Sequence, residues 1–254
     1  MIDRGIDARG AGAPLPCLDI VMVTRNCVAA ARRTLRSLRQ QTHTGWRLVA
    51  IDGASTDGTR EALLADARDG DVVSSEADDG IYDAMNRALR ALGDDAGRLC
   101  LFMNAGDTFS CESSLSCAMQ RMGGNEADIY VFPWEVDGVI FQPNPGAMFA
   151  LPGCHQAMFY RCSLLRRHPF QLRYRLCADY RQYLDLLEAG ARVAYFPGMA
   201  IAHYDSSGMS SRAAYRVIYE HCQINFDRQG LALTLAWAVK RVFRTVFRRA
   251  LDRA

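Results

Sequence analysis

The sequence predicts an α/β fold, with a Rossmann-like half on a mostly parallel central sheet followed by a more irregular mixed half. Three observations lead there. Short, nearly continuous apolar runs alternate with helix-period segments as far as Asp107, the pattern of parallel strands buried on both faces. Several of these runs end on polar residues, where open α/β sheets bind ligands. Beyond Ser110 the alternation gives way to strand-like pieces broken by Pro and Gly.

Taken in order, residues 1–16 are rich in Gly, Ala and Pro and read as a flexible tail. LDIVMVT is the first strand, and Ala29 to Gln41 the first helix, with Leu35 and Leu38 turned inward. WRLVAID is the second strand and closes on the turn GASTDGT; Arg60 to Ala67 is a helix and DVVSSE a short third strand. Asp83 to Leu92 reads as a helix, and GRLCLFMN as a fourth strand ending at Ala-Gly-Asp. The mixed half holds a helix over Leu115 to Met122, strand-like IYVFPWEV and VIFQP, and a Pro/Gly-rich loop around NPGAMFALPG. A strand HQAMFY and a helix from Ala178 to Ala189 follow. The main domain is expected over 17–225, with a basic amphipathic helical extension over 226–254.

Composition narrows the function classes. Half of the 254 residues are hydrophobic, enough for a sizeable core. A net charge of +2 is too small to argue for nucleic acid as a partner. The nine cysteines include no Cys-x-x-Cys, and no Cys/His cluster has zinc-finger spacing. Free, mostly core cysteines in a reducing cytoplasm are expected. No segment is apolar over the ~20 residues that span a bilayer, and no signal-peptide pattern opens the chain. The protein is expected not to cross a membrane.

Polar groups converge on one edge of the predicted sheet. Thr24, Arg25 and Asn26 follow the first strand, Asp52 ends the second, and Asn104 to Asp107 end the fourth. The first turn, TRNCVAA, lacks the Gly-x-Gly-x-x-Gly that lets backbone approach a pyrophosphate, and no Gly-Lys-Ser/Thr loop occurs. Without a glycine cradle, a bound diphosphate is usually neutralised by a divalent cation and basic side chains. Asp107 is a suitable hard ligand for Mg²⁺ or Mn²⁺.

The segments LDIVMVTRN, RTLRSLRQQT, VAIDGASTDGT, SEADDGIYDAMNRAL, LFMNAGD, HQAMFY and CADYRQYLDLLEAG, in this order and spacing, resemble the bacterial family 2 glycosyltransferases. Within that family the resemblance is to enzymes that assemble exopolysaccharide and O-antigen repeat units. It runs roughly from Leu18 to Ser210. It implies the GT-A fold, a nucleoside-diphosphate sugar donor, UDP-linked, and inversion at the anomeric carbon. A glycan or lipid-linked saccharide is the implied acceptor.

Residue by residue, the resemblance implies that Asp52 reads the nucleotide base; the alternative is a helix-capping group. Thr24 and Asn26 would sit beside base and ribose, or serve as core-turn residues. Asp57 and Gly58 carry the signature of a tight turn. In SEADDGIYDAMN, Asp79 ranks above Asp83 as a contact to the nucleotide-sugar, since Asp83 also suits the first turn of a helix. Asn104-Ala105-Gly106-Asp107 departs from the family's Asp-x-Asp, so metal ligation would rest on Asp107, with His203 as a helper or merely a packed histidine. Asp179, in CADY, aligns with the catalytic base and can also cap its helix. His155 and Gln156 fall on the acceptor side or pack.

From Leu235 onward, Leu235, Val239, Val242, Val246 and Ala250 recur at helical spacing, with Lys240, Arg241, Arg244 and Arg248 on the other side. Such a helix suits an anionic membrane surface or docks on the domain with a solvated face. The implied localisation is cytoplasmic and peripheral at the inner face of the membrane. Two other functions compete: a sugar nucleotidyltransferase, which would carry a Gly-rich basic loop after the first strand, and a non-catalytic nucleotide- or sugar-binding protein.

Overall fold

The first strand, β1 (Leu18–Thr24), is buried along its whole length, as its unbroken apolar run requires. A computed structural model describes the chain over residues 18–93, 97–147, 149–206 and 213–251. The expected tail, 1–16, lies outside the described residues. β1 is followed by α1 (Val28–Arg39), β2 (Trp46–Asp52), α2 (Thr59–Asp66), β3 (Val72–Ser75), α3 (Ile81–Ala91) and β4 (Leu99–Phe102). These strands pair in parallel, with Thr24 opposite Asp52 and Asp52 opposite Ser75. The polar ends of β1, β2 and β3 therefore share one edge.

The mixed half contains β5 (Thr108–Phe109), α4 (Ser114–Met122), β6 (Ile129–Val131), β7 (Trp134–Val136) and β8 (Val139–Phe141). A 3-10 turn (His155–Ala157) then leads into β9 (Met158–Arg161), α5 (Cys162–Arg167), α6 (Ala178–Glu188), β10 (Val193–Tyr195) and β11 (Ala202–His203). The central sheet has the order β10-β6-β9-β4-β1-β2-β3. All its neighbours are parallel except β9, which runs antiparallel to both β4 and β6. A smaller sheet, β5-β11-β7-β8, stands beside it.

Alternation along the strands splits the core between two faces. Val21 and Val23 join Phe102, Tyr160 and Tyr180 in one cluster, while Leu18, Ile20 and Met22 join Leu35, Leu101 and Met119 in another. Helices thus cover both faces, each buried Leu, Ile or Val contributing roughly 1.5–3 kcal/mol. At the edge of the sheet away from the strand ends, buried Asp19 is held by Arg47, Arg98 and the Gly93 N–H.

Two expected strands differ in detail. IYVFPWEV divides around Pro133, which has no N–H to give a ladder; β6 stays in the central sheet and β7 enters the small one. In HQAMFY the first three residues form the 3-10 turn, and the strand starts at Met158. The eight described cysteines are free thiols.

The last element, α7 (Ala214–Leu251), is broken at Gly230, whose φ of 75° and ψ of 174° are open only to glycine. The expected division at 225/226 lies within this helix, ahead of the break. Before it, Ile218, Glu220, Ile224 and Asn225 are buried. After it, Thr234 is buried and Trp237 stacks on His221 and Phe149. Leu235, Val239 and Val242 are exposed, at 54%, 69% and 37%, beside exposed Lys240 and Arg241. The helix thus docks through one face and leaves its apolar stripe outward. The side chains of Arg244, Val246, Arg248 and Ala250 lie outside the described ones. No helix among the described residues is long and apolar enough to cross a membrane.

Candidate active site

The ends of β1, β3 and β4 open onto a cleft of about 850 Å³. Thr24, Arg25 and Asn26 line it from β1, Arg33 from α1, Asp78 and Gly80 from the loop after β3, and Asn104 and Asp107 from the loop after β4. The mixed half supplies His155, Gln156, Asp179, Tyr204 and Asp205. Thr24, Asn26, Asn104, Asp107 and Asp179 therefore come together as the sequence suggests. Asp52, Asp79, Asp83 and His203 do not line the cleft.

Asp52 is fully buried beneath it and already saturated. Oδ1 accepts from Thr24 Oγ1 at 2.9 Å and from Ser55 Oγ; Oδ2 accepts from the Ser55 N–H at 2.9 Å and Ser75 Oγ at 2.7 Å. Burial pushes its carboxyl up, but the bonds from Ser55, Ser75 and Thr24 outweigh burial and hold it below the ordinary value. This geometry makes Asp52 a fastener of the β1, β2 and β3 ends. Asn26, at φ 47°, exchanges bonds with Ser55 and Thr56. Asp57 accepts from the Val28 N–H and from Thr59, so it caps α1 across space as well as its own turn.

After β3, the acid that reaches the cleft is Asp78. Its side chain is 5% exposed, accepts from the Gly80 N–H at 3.0 Å, and sits 3.9 Å from Arg25. A Cβ at Gly53 would lie 2.3 Å from Asp78 Oδ2, so glycine at 53 is what admits that carboxylate. Asp79 turns outward, and Asp83 pairs with Arg87 at 2.8 Å while accepting from the Asp79 N–H. Consecutive acids cannot both face inward where the chain enters α3, and the inner place falls to Asp78.

The loop after β4 is pinned from α1. Thr34 Oγ1 lies 2.7 Å from the Asp107 carbonyl and accepts from the Gly106 N–H at 2.9 Å. Asp107 is 4% exposed; Oδ2 accepts from Gln156 Nε2 and Oδ1 from the Asp205 N–H, both at 2.8 Å. Burial, against these two bonds and with the Asp205 charge adding to it, pushes its carboxyl up to about 7. Asp205 in turn pairs with Arg33 at 2.9 Å. Asn104 Oδ1 is buried without a hydrogen-bond partner. Two adjacent carboxylates and an orphaned amide oxygen fit a hard divalent cation, whose remaining positions a diphosphate could fill. No group of three or more His, Cys, Asp or Glu with metal-binding placement occurs among the described residues. His203 is half-buried in β11, where its backbone pairs with Thr108 and Glu135; Tyr204 and Asp205 are what β11 sends into the cleft.

Asp179 opens α6. The Tyr180 N–H donates to its Oδ1 at 2.8 Å, and the Tyr82 hydroxyl lies 3.0 Å from the same oxygen and from the Leu176 carbonyl. Both hydrogen bonds fall on Oδ1. Burial outweighs them and raises the Asp179 carboxyl above its usual range. Burial and the neighbouring Asp179 push the Tyr82 phenol well up, so it stays a donor. His155 stacks on Phe102 at 4.5 Å with Nε2 buried and unpartnered, and burial lowers it to about 3, so it is neutral. Gln156 belongs to the Asp107 side through its amide.

Sequence reasoning missed Asp78, Asp205, Thr34 and Tyr82. Asp205 was within reach, since it follows a short strand as the other strand-end acids do. Thr34 is a polar, helix-disfavoured residue in an Ala/Arg/Leu-rich helix. Nothing local marks Tyr82.

The profile of "Glycosyl transferase family 2" matches residues 19–177. A PGL/p-HBAD biosynthesis glycosyltransferase of Mycobacterium bovis (strain BCG / Pasteur 1173P2) is 29% identical over 211 residues, 76% of this chain and 78% of the relative. Among solved structures, Staphylococcus aureus TarS 1–349 in complex with UDP superposes with a TM-score of 0.64 at 17% identity, covering 90% of this chain and 72% of that one. The mannosyltransferase PcManGT from Pyrobaculum calidifontis, in complex with GDP-Man and Mn²⁺, gives 0.66 at 16% identity, covering 89% and 68%. The fold is the GT-A fold.

Proposed function

This chain belongs to glycosyl transferase family 2, and we propose that it moves a sugar from a nucleoside-diphosphate donor to a hydroxyl of a glycan or lipid-linked saccharide, with inversion. The observation that carries this reading is one cleft holding two unlike acidic centres. Asp179 is a carboxylate that, among the described residues, is bonded by Tyr82 and Tyr180 through Oδ1; Asp107 and Asp205 form a pair across from Arg33. Relatives with UDP and GDP-Man in their structures support a nucleotide-sugar donor, and a UDP-linked one is the first to try.

In the reaction, Asp179 Oδ2 takes the proton from the acceptor hydroxyl as that oxygen attacks the anomeric carbon. The bond to the diphosphate breaks on the opposite side, and the nucleoside diphosphate leaves with the electron pair. Tyr82 and the Tyr180 N–H hold Oδ1, which fixes the plane of the carboxylate. Asp107 and Asp205 would hold a Mg²⁺ or Mn²⁺ ion, which when bound neutralises charge on the departing diphosphate. Arg25 and Arg33, on the nucleotide side, add positive charge there.

The exposed Leu235, Val239 and Val242 stripe, with Lys240 and Arg241 beside it, supports docking on an anionic lipid surface. The enzyme would then work as a peripheral protein at the inner face of the membrane, in cell-surface polysaccharide or glycolipid synthesis; the relatives' names support a biosynthetic role of this kind. Incubation with α-linked UDP- and GDP-sugars and lipid-extract acceptors, followed by NMR of the product, tests the reaction. A β-linked product is expected. An α-linked product from an α-donor would exclude inversion.

A further inference from the structure

We propose that Glu220, in the first part of α7, is a positioning residue that holds the backbone in front of Asp179. It rests on the reading of Asp179 as the base. Glu220 is 3% exposed. Its Oε1 accepts from the Arg175 N–H at 3.1 Å, and its Oε2 from the Leu176 and Cys177 N–H groups at 2.8 and 3.0 Å. Arg216, one turn earlier, reaches Oε1 at 3.2 Å. Three consecutive backbone donors on one buried carboxylate form a clamp, and a charged acceptor makes each bond stronger than a neutral one.

The clamp stands where α6 lacks a cap of its own. Cys177, at the N-cap position, makes no side-chain capping bond. Glu220 supplies an acceptor from another helix, and its charge suits the positive end of α6. The Leu176 N–H is held by Glu220, and the Tyr82 hydroxyl lies within bonding distance of both the Leu176 carbonyl and Asp179 Oδ1, its single proton serving one of them at a time. On the far side of Asp179, the Tyr180 hydroxyl donates to Asn225 Oδ1 at 2.7 Å and the Tyr180 ring stacks on His221 at 4.9 Å. The His221 Nδ1 lies 3.2 Å from Cys177 Sγ. Residues 220, 221 and 225 therefore hold the chain on either side of the base.

Glu220 also acts through its charge. The charged or titratable groups around Asp179 are Tyr82 from α3, Cys177 before α6, Tyr180 within it, Cys154 from the cleft wall, Tyr160 from β9 in the core, and Glu220 from α7. Burial is the main cause that raises the Asp179 carboxyl, and the Glu220 charge adds a smaller part.

The test compares full-length wild type, Glu220→Gln, Glu220→Asp, Asp179→Asn and the Glu220→Gln/Asp179→Asn double variant. Each is checked for a cooperative melt, and kcat, donor KM and the pH profile of kcat are measured. The Gln variant should lose roughly tenfold to a hundredfold in kcat, the scale of a misplaced reacting group. Its donor KM should hold, and its acid limb should move to lower pH. The Asp variant keeps the charge but withdraws the carboxylate, so kcat should fall while the acid limb stays; it carries the test if the Gln variant does not fold. The double variant should be no slower than Asp179→Asn alone. A folded Glu220 variant with unchanged kcat, or a double variant slower than Asp179→Asn by the full Gln effect, overturns the positioning role. Near-normal turnover of Asp179→Asn instead overturns the reading of the base, a separate outcome.

Discussion

Asp52, fully buried, and Asp179, partly buried, are both carboxylates at the ends of regular elements, and the balance of burial against hydrogen bonding sets them in opposite directions. Asp52 takes four donors shared over both oxygens and is held low. Asp179 takes its bonds from described side chains and backbone on Oδ1, and burial pushes it up. The first has no oxygen left for a substrate; the second keeps one. How far hydrogen bonds offset burial, more than position in the chain, separates the carboxylate that fastens loops from the one proposed to accept a proton.

The sharpest way to break this contrast is Asp179→Asn. Transfer should fall by ~10²-fold or more, the scale of a lost general base, while nucleotide binding persists. The Asn amide oxygen can keep both Oδ1 bonds. Because the folded-state pKa is raised, wild type is favoured below the unfolded value and loses that stability as pH rises through the folded one. The Asn variant should therefore melt higher than wild type near neutral pH, and the gap should close in acid. Turnover assays and melting curves at two pH values check both halves. For the same reason the acid limb of wild-type kcat/KM should lie above the ordinary carboxylate range.

Asp107 stands between the two cases, with a bond on each oxygen yet a raised carboxyl. Asp107→Ala should remove the Mn²⁺-dependent part of UDP affinity. Calorimetry that finds that part intact would move the cation elsewhere.

Asp52→Asn should cost about 2 kcal/mol of stability, because an amide NH₂ then faces hydroxyl and N–H donors. Here the sign reverses: a lowered folded pKa gives stability above the unfolded value that disappears as pH falls through the folded one. The deficit of the variant should thus shrink at low pH, with kcat of the folded fraction preserved. A large kcat loss without a stability loss would make Asp52 a substrate contact after all. The smallest effect is expected for Asp83→Ala, which removes a part-buried i,i+4 pair with Arg87 worth about 1 kcal/mol and should leave turnover as it is. A marked rise in donor KM would return Asp83 to the site.

The parallel strands were legible because burial on both faces leaves continuous apolar runs. LDIVMVT and WRLVAID match β1 and β2 residue for residue. Asp107 and Asp179 were legible as well, since strand ends and helix starts are where a side chain can face a cleft. The choice of Asp78 over Asp79 was not, because it depends on the space left by Gly53, one strand away. Tyr82, Asp205 and Glu220 act across 97, 98 and more than 40 residues of chain, and no local pattern encodes such partners. The antiparallel β9 was hidden for the same reason: its neighbours are set by topology, while its own sequence reads as an ordinary buried strand.

That inserted β9 also orders the birth of the molecule. The contacts among β1, β2, β3 and β4 lie within residues 18–102 and can form while synthesis continues. The outer edge of β4 then waits for β9 at 158–161, which must itself bridge to β6. Loop closure over such separations is slow, and an open strand edge invites pairing with other chains. Nascent or truncated forms ending before β9 should be the aggregation-prone ones. Asp179 and then Glu220 emerge later still, so the strand ends of a half-made chain are complete well before the acid that α6 brings to the cleft and the clamp that holds it.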